Sequence, residues 1–217
     1  SGTQSAMAGA VFMGLFMLVV KRMPKYGFRA IFSGLAVYVI AMPVFVSGAL
    51  SAIRAFGLPL PRSFFSRTYS WEFVGAKIHE APLLGHGPEA CHTWKDTFGD
   101  HPDWLADATA RFGDGQVWQL YSVVPVHPHN MPLQIWSEAG FVGAALAALA
   151  LMIIGLRLPR PNDMTARARY AAAGSVGAAT VAFSVSYSAW NEAFWASLVL
   201  IAGTVMLLAR PEAPGED

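Results

Sequence analysis

Residues 126 to 143 read Val-His-Pro-His-Asn-Met-Pro-Leu-Gln-Ile-Trp-Ser-Glu-Ala-Gly-Phe-Val-Gly, and three of these side chains are chemically capable. His127, His129 and Asn130 form a polar cluster directly ahead of an apolar run from Phe141 to Leu156. With Ala139 and Gly140 added, that run is nearly long enough to cross a bilayer. Two imidazoles and an amide at the mouth of a membrane helix are costly to hide in lipid. They should face water, a cleft or a substrate at the membrane surface. Plainer readings stand beside this one. Asn130 can cap the following helix, with His129 next to it. His127 can shape the turn at Pro128, and Glu138 can be a helix-start acid favoured by the macrodipole. Gly140 and Gly143 fit close helix packing of the small-residue type. His127 and His129 could also chelate a metal, but the sequence has no His-Glu-x-x-His or similar helical spacing.

The elements that must hold these residues are membrane helices. The chain of 217 residues is 54% hydrophobic and only 13% charged, against nearly a quarter charged in globular domains. Its mean hydropathy of +0.41 agrees. A net charge of +1 gives no field that would draw nucleic acid. One cysteine, Cys91, excludes an internal disulfide and a thiolate metal cage. The expected class is an all-α integral membrane protein. Its helical bundle has about five spans in this chain and a large, partly helical external loop.

In chain order, the expected layout is two membrane helices in 1–53, a loop region carrying the site in 54–138, three more membrane helices in 139–209 and a tail in 210–217. The spans centre on Ala6–Val20, Ala30–Ile53, Ala139–Leu156, Tyr170–Tyr187 and Phe194–Ala209, with Pro43 inside the second. Proline is tolerated there when a neighbour satisfies the carbonyl it frees. One short loop carries Lys21, Arg22, Lys25 and Arg29, and another carries Arg157, Arg160, Arg167 and Arg169. Only Asp163 opposes them. Both loops share the parity expected of cytoplasmic connections. The long loop then lies outside, in the periplasm of a Gram-negative cell, and Cys91 should be open to an impermeant thiol reagent. Five spans with an external N-terminus read as part of a larger bundle, and the tail PEAPGED reads as disordered and cytoplasmic.

The long loop has structure of its own. Trp71, Val74, Ile78 and Ala81 fall at helical spacing until Pro82 stops the pattern. A second helix is expected over 103–112, with Pro102 at its start, Gly113 past its end, and Trp104, Leu105, Ala108 and Phe112 on its apolar face. Trp71, Trp94, Trp104 and Trp118 lie in this loop. They suit stacking on sugar rings or an interfacial aromatic belt. Trp190 and Trp195 suit the belt better.

Three motifs together resemble the O-antigen ligase and polymerase superfamily, the bacterial membrane glycosyltransferases. The first is His129-Asn130, then Leu133-Gln134, then Glu138-x-Gly140-x-x-Gly143. The second is Ser66-Arg67-Thr68-x-x-Trp71, and the third is Pro82-Leu83-Leu84-Gly85-His86-Gly87. Ser1-Gly2-Thr3-Gln4-Ser5 also resembles the start of an earlier family helix, but Gln4 stands where that motif often carries Arg or Lys. The matches run from residue 1 to about 143.

The resemblance implies transfer of a glycan from an undecaprenyl diphosphate carrier to an acceptor hydroxyl, at the periplasmic face of the inner membrane. Lipid A core or another glycan would be the acceptor, as in lipopolysaccharide or surface polysaccharide assembly. Such a reaction needs a base for the hydroxyl and a cation for the diphosphate leaving group. His129 is the candidate base, because histidine as a residue type suits proton abstraction at neutral pH. Arg67 is the candidate cation, because its planar fork grips phosphate oxygens bidentately. Asn130, His127, Trp71 and Glu138 are the candidate substrate contacts. No metal or other cofactor is implied, and a single displacement would invert the anomeric centre. The alternatives are a polymerase of the same superfamily, a protein glycosylase, a transporter of lipid-linked glycans, or an assembly subunit. Proton-coupled transport usually needs ionisable residues near mid-membrane. The expected spans have none, since Glu138 and Glu192 sit at ends.

Overall fold

The structure is a computed structural model that describes residues 2–113 and 115–209, without the side chains of Gly2, Thr3, Gly115 and Gln116. Ser1 and the tail from 210 to 217, with the expectations placed on them, lie outside the described residues. Among the described residues eight α-helices follow one another: α1 (Gly2–Arg22), α2 (Gly27–Ala55), α3 (Arg62–Glu80), α4 (Pro102–Phe112), α5 (Gly115–Trp118), α6 (Met131–Arg157), α7 (Ala166–Val185) and α8 (Glu192–Leu208). No strand occurs among the described residues, apart from one antiparallel bridge between Thr97 and Ser122. The fold is all-α, as the apolar runs require.

All five expected spans are helices, and three of them, α1, α2 and α6, are long and apolar enough to cross a membrane. α8 is apolar but only 17 residues long, short of the ~20 a bilayer asks for. α7 is rich in Ala and Gly and opens with Arg167 and Arg169. α2 has 29 residues, about 43 Å at 1.5 Å per residue, whereas the 27 residues of α6 are divided by a break at Gly140. α2 exceeds the ~30 Å hydrocarbon layer and has turns to spare beyond it. The segment of α6 after the break coincides with the span expected from Ala139, and residues 131–139 form a helical segment ahead of it.

The chain divides into two compact units, with the divisions falling inside α2 and α6. One unit comprises residues 1–38 and 146–217. Its core joins Val20, Phe28, Ile31, Phe32, Leu35 and Ala173. α1 and α7 meet closely because Gly177 has no side chain: a Cβ there would lie 2.5 Å from the Phe12 carbonyl oxygen.

The other unit, residues 39–145, carries every candidate site residue. Its helix α3 buries Phe65, Ser70, Val74 and Ile78, the 3.6-residue pattern of one face. α4 starts with Pro102 and stops at Gly113, in the left-handed conformation that glycine adopts freely. Aromatic rings fill the space between them. Trp104 stacks on Phe98 at 4.0 Å and on Phe65 at 5.3 Å, with Trp118 edge-on at 5.6 Å. Trp104 is therefore core, neither a sugar platform nor part of a belt, whereas Trp190 and Trp195 are about half exposed, at 54% and 48%. Pro43 finds the compensation that a membrane proline needs. It has no N–H for the Val39 carbonyl, and the Trp136 indole N–H donates to that oxygen instead, at 2.8 Å.

Candidate active site

α3 and the loop before α6 are fastened to each other, and this places the arginine and the histidines together. Arg67 and Trp71 are four residues apart and share a helix face. The Trp71 indole N–H donates to the Pro128 carbonyl at 2.8 Å. One turn's edge away, the Ser70 hydroxyl donates to the Val123 carbonyl. The upstream part of the loop is held by backbone pairing. The N–H groups of Phe98, Gly99 and Val123 donate to the carbonyls of Tyr121, Gln119 and Asp96 at 2.9, 3.1 and 2.9 Å. The Ser-Arg-Thr-x-x-Trp pattern thus offers a cation and, one turn later, the donor that pins the histidine loop beside it.

The downstream end of the loop is fixed by the helix cap. The Asn130 carboxamide oxygen accepts from the Leu133 N–H at 2.9 Å, and its nitrogen lies 3.7 Å from the Met42 sulfur. Asn130 is only 3% exposed. The capping reading of this residue is therefore realised, and a contact with substrate would have to be made through its neighbours.

Between these anchors the two imidazoles meet, with ring centroids 4.5 Å apart and planes at 66°. His129 has a φ of +52°, a left-handed conformation uncommon for a residue with a side chain. Its backbone N–H donates to Nδ1 of His127 at 3.1 Å. Burial pushes the His127 pKa down to about 4, helped by the positive charges of His129, Arg67 and His92. His127 is consequently neutral at pH 7, with its proton on Nε2, because Nδ1 is already an acceptor. It can donate a hydrogen bond but is poorly placed to take a proton.

The charges acting on His127 define the cluster: Arg67 from α3, His92 from the 3₁₀ turn Ala90–Thr93, and His129 from the loop. Arg67 is half-buried, with its guanidinium 5.5 Å from the Phe64 ring centroid, and burial lowers its pKa. His92 was one loop histidine among several in the sequence. Its position three residues after the Pro88-Glu89 turn carries no signal of its own. Among the described residues no three of His, Cys, Asp and Glu converge as metal ligands would.

Glu138 lies inside the unit, 5% exposed, where one carboxylate oxygen accepts from the Gln134 amide at 2.9 Å. Cys91 is fully buried beside it. Burial, with the Glu138 charge adding to it, pushes the Cys91 thiol up to about 12. That thiol stays protonated and covered, so the expectation of reagent access at Cys91 is corrected.

The Pro82–Gly87 turn explains Gly85 and Gly140. Gly140 departs from helical geometry at φ 60°, ψ −159°, and breaks α6 there. The turn enters the break. His86 and Gly87 donate to the carbonyls of Ser137 and Glu138, both at 2.9 Å. Phe141 and Val142 donate to the carbonyls of Pro82 and Leu83 at 2.8 and 3.1 Å. A regular helix would have paired Phe141 with Ser137 and Val142 with Glu138; the turn takes up all four groups. Cβ atoms at Gly85 and Gly140 would lie 2.4 Å from Glu138 C and 2.3 Å from Leu83 C. Gly140 is thus a docking point for the turn, not the helix-packing contact expected from its spacing.

Residues 1–148, which contain α3, the turn, the histidine loop and the kinked start of α6, match the O-antigen ligase family. The chain belongs to the O-antigen ligase family. A stretch of 80 residues is 34% identical to a Rickettsia conorii protein named as a candidate polysaccharide ligase. That stretch is 37% of this chain and 16% of the relative's length, so the relative is much the longer protein. No solved structure matches the chain. Family membership and the apolar helices together make this a membrane protein.

Proposed function

We propose that the protein transfers a glycan from an undecaprenyl diphosphate carrier to an acceptor hydroxyl at the periplasmic face of the bacterial inner membrane. The observation that carries this reading is the convergence of Arg67, His127 and His129 on one loop and one helix face, within the region that matches the O-antigen ligase family. The acceptor oxygen attacks the anomeric carbon while the bond from that carbon to the diphosphate oxygen breaks. His129 takes the hydroxyl proton. The electron pair of the broken bond leaves on the diphosphate, whose charge Arg67 meets through paired N–H donors. The anomeric configuration inverts in this single step, and no metal is needed for it. His127, neutral with Nε2–H available, donates to the sugar or the diphosphate. Trp71 and Asn130 hold the loop, and Glu138 with Gln134 holds the start of α6.

Lipopolysaccharide gels of a deletion strain test the class of acceptor. Full-length core without a ladder is the result expected of a ligase acting on lipid A core. Core capped with single repeats would replace that acceptor with another lipid-linked repeat, and an unaltered profile would move the reaction to a different surface polysaccharide.

A further inference from the structure

In the unit formed by residues 1–38 and 146–217, the two basic loops are one surface. The Asn162 N–H donates to the Pro24 carbonyl at 3.0 Å, which ties the α6–α7 connection to the α1–α2 connection. Pro161 is buried, and Leu158 and Met164 pack on the core cluster, so the junction is part of the fold. Each loop brings four cations to it. Among the described residues, Lys25, Arg29, Arg157, Arg160 and Arg169 form no ion pair with a carboxylate. Arg169 is half-buried over the Tyr170 ring, at 4.8 Å, and its Nε is buried with no hydrogen-bond partner. It also sits in the first turn of α7, where the helix dipole disfavours a cation. Gathered like charges with an orphaned donor among them call for anions.

The surface beside this patch is apolar. The last turns of α6 expose Met152, Ile153, Ile154 and Leu156, at 45%, 48%, 45% and 56%, immediately before Arg157. We propose that this end of the unit binds the phosphodiester headgroup of an anionic glycerophospholipid. Arg157, Arg160 and Arg169 grip the phosphate, and the acyl chains lie along the exposed stripe of α6. The two features are complementary to the two halves of one lipid molecule, whereas a soluble phosphate would use only the first.

The test uses the full-length protein in neutral detergent. Native mass spectrometry would count bound phosphatidylglycerol and bound phosphatidylcholine in competition, with inorganic phosphate as a third arm. Preferential retention of phosphatidylglycerol is expected, with no effect of millimolar inorganic phosphate. A cation near a membrane surface contributes about fivefold to attraction of anionic lipid. Arg160→Gln and Arg169→Gln should each lower the preference about fivefold, and Arg111→Gln, in the other unit, should not. If Arg169→Gln fails to fold, Arg160→Gln and Arg157→Gln decide the matter, since both side chains are exposed. Equal retention of the two lipids, an unchanged preference in the variants, or displacement by inorganic phosphate would overturn the proposal.

Discussion

Replacing Gly140 by alanine attacks the joint between α6 and the Pro82–Gly87 turn. The new Cβ would meet three backbone atoms, Leu83 C, Leu83 O and Leu84 N, at 2.3, 2.4 and 2.6 Å. Backbone cannot swing aside as a side chain can, so the turn must leave. Four backbone hydrogen bonds between turn and helix would then be lost. If α6 closes into a regular helix, two are regained within it, which leaves a net loss of two at about 1 kcal/mol each. If the kink instead persists, alanine bears the strain of a conformation almost confined to glycine, about 1–3 kcal/mol. Either route costs about 2 kcal/mol, equivalent to a fall in Tm of about 4–8 °C for a chain of this size. Straightening α6 would also swing its first segment, which carries the Asn130 cap and the histidine loop, so transfer activity should fall with stability. Thermal unfolding in lipid nanodiscs, paired with a transfer assay, reads both. Gly85→Ala should behave alike, because its Cβ would meet Glu138 C at 2.4 Å. Gly48→Ala, with open space around it, is the control and should change little. Wild-type Tm and activity in Gly140→Ala would refute the idea that the turn locks the helix.

Other outcomes follow from the same geometry. Arg67→Lys keeps the charge and loses the fork, so activity should fall substantially at normal membrane abundance; full activity would mean that any cation suffices. His127 is the group whose native pKa is depressed to about 4 from an ordinary 6.5. The unfolded chain therefore binds the proton more readily, and stability should decline as pH falls from 6.5 towards 4. Urea midpoints should show that decline shrinking in His127→Gln, and an unchanged slope would detach it from this residue. Transfer by the purified full-length protein should survive EDTA, and recovery only on adding a divalent ion would contradict the assignment of the diphosphate to arginine. Cys91 should resist maleimide until the protein is denatured, whereas a cysteine at the exposed Thr93 in a Cys91→Ala background should label from the periplasmic side. Labelling of Thr93→Cys only after the inner membrane is breached would reverse the proposed orientation.

Much of the fold was legible because its signals are local. Apolar runs gave the five long helices, and the Pro102 and Gly113 boundary residues gave α4 at nearly its observed ends. The site motifs were legible as residues but not as a mechanism of assembly. Nothing in Ser-Arg-Thr-x-x-Trp tells that the Trp71 N–H reaches the Pro128 carbonyl, 57 positions away. Gly140 reads as helix packing, because nothing in Glu-x-Gly-x-x-Gly reveals that a distant turn completes the broken ladder. Pro43 foretold that some group must serve the Val39 carbonyl, but not that Trp136 is that group. Cys91 was misjudged because loop position implies exposure only when the loop has no core, and here Phe98, Trp104 and Val123 build one. His92 joins the cluster through tertiary proximity alone. Each of these misses is a long-range contact, invisible to spacing within one helix or one loop.

The most direct measurement is single-turnover transfer from an undecaprenyl diphosphate-linked glycan by the full-length protein in nanodiscs, comparing wild type with His129→Asn. Asparagine tolerates the left-handed backbone that His129 adopts at φ +52°, so the loop should keep its shape while the base is removed. General-base catalysis contributes about a hundred- to ten-thousand-fold. The expected result is product glycan and released carrier diphosphate with wild type, and a rate lower by that factor in His129→Asn, with unchanged Tm and donor binding. A His129→Asn protein that transfers at the wild-type rate would contradict the assignment of the base and, with it, the central account of this site.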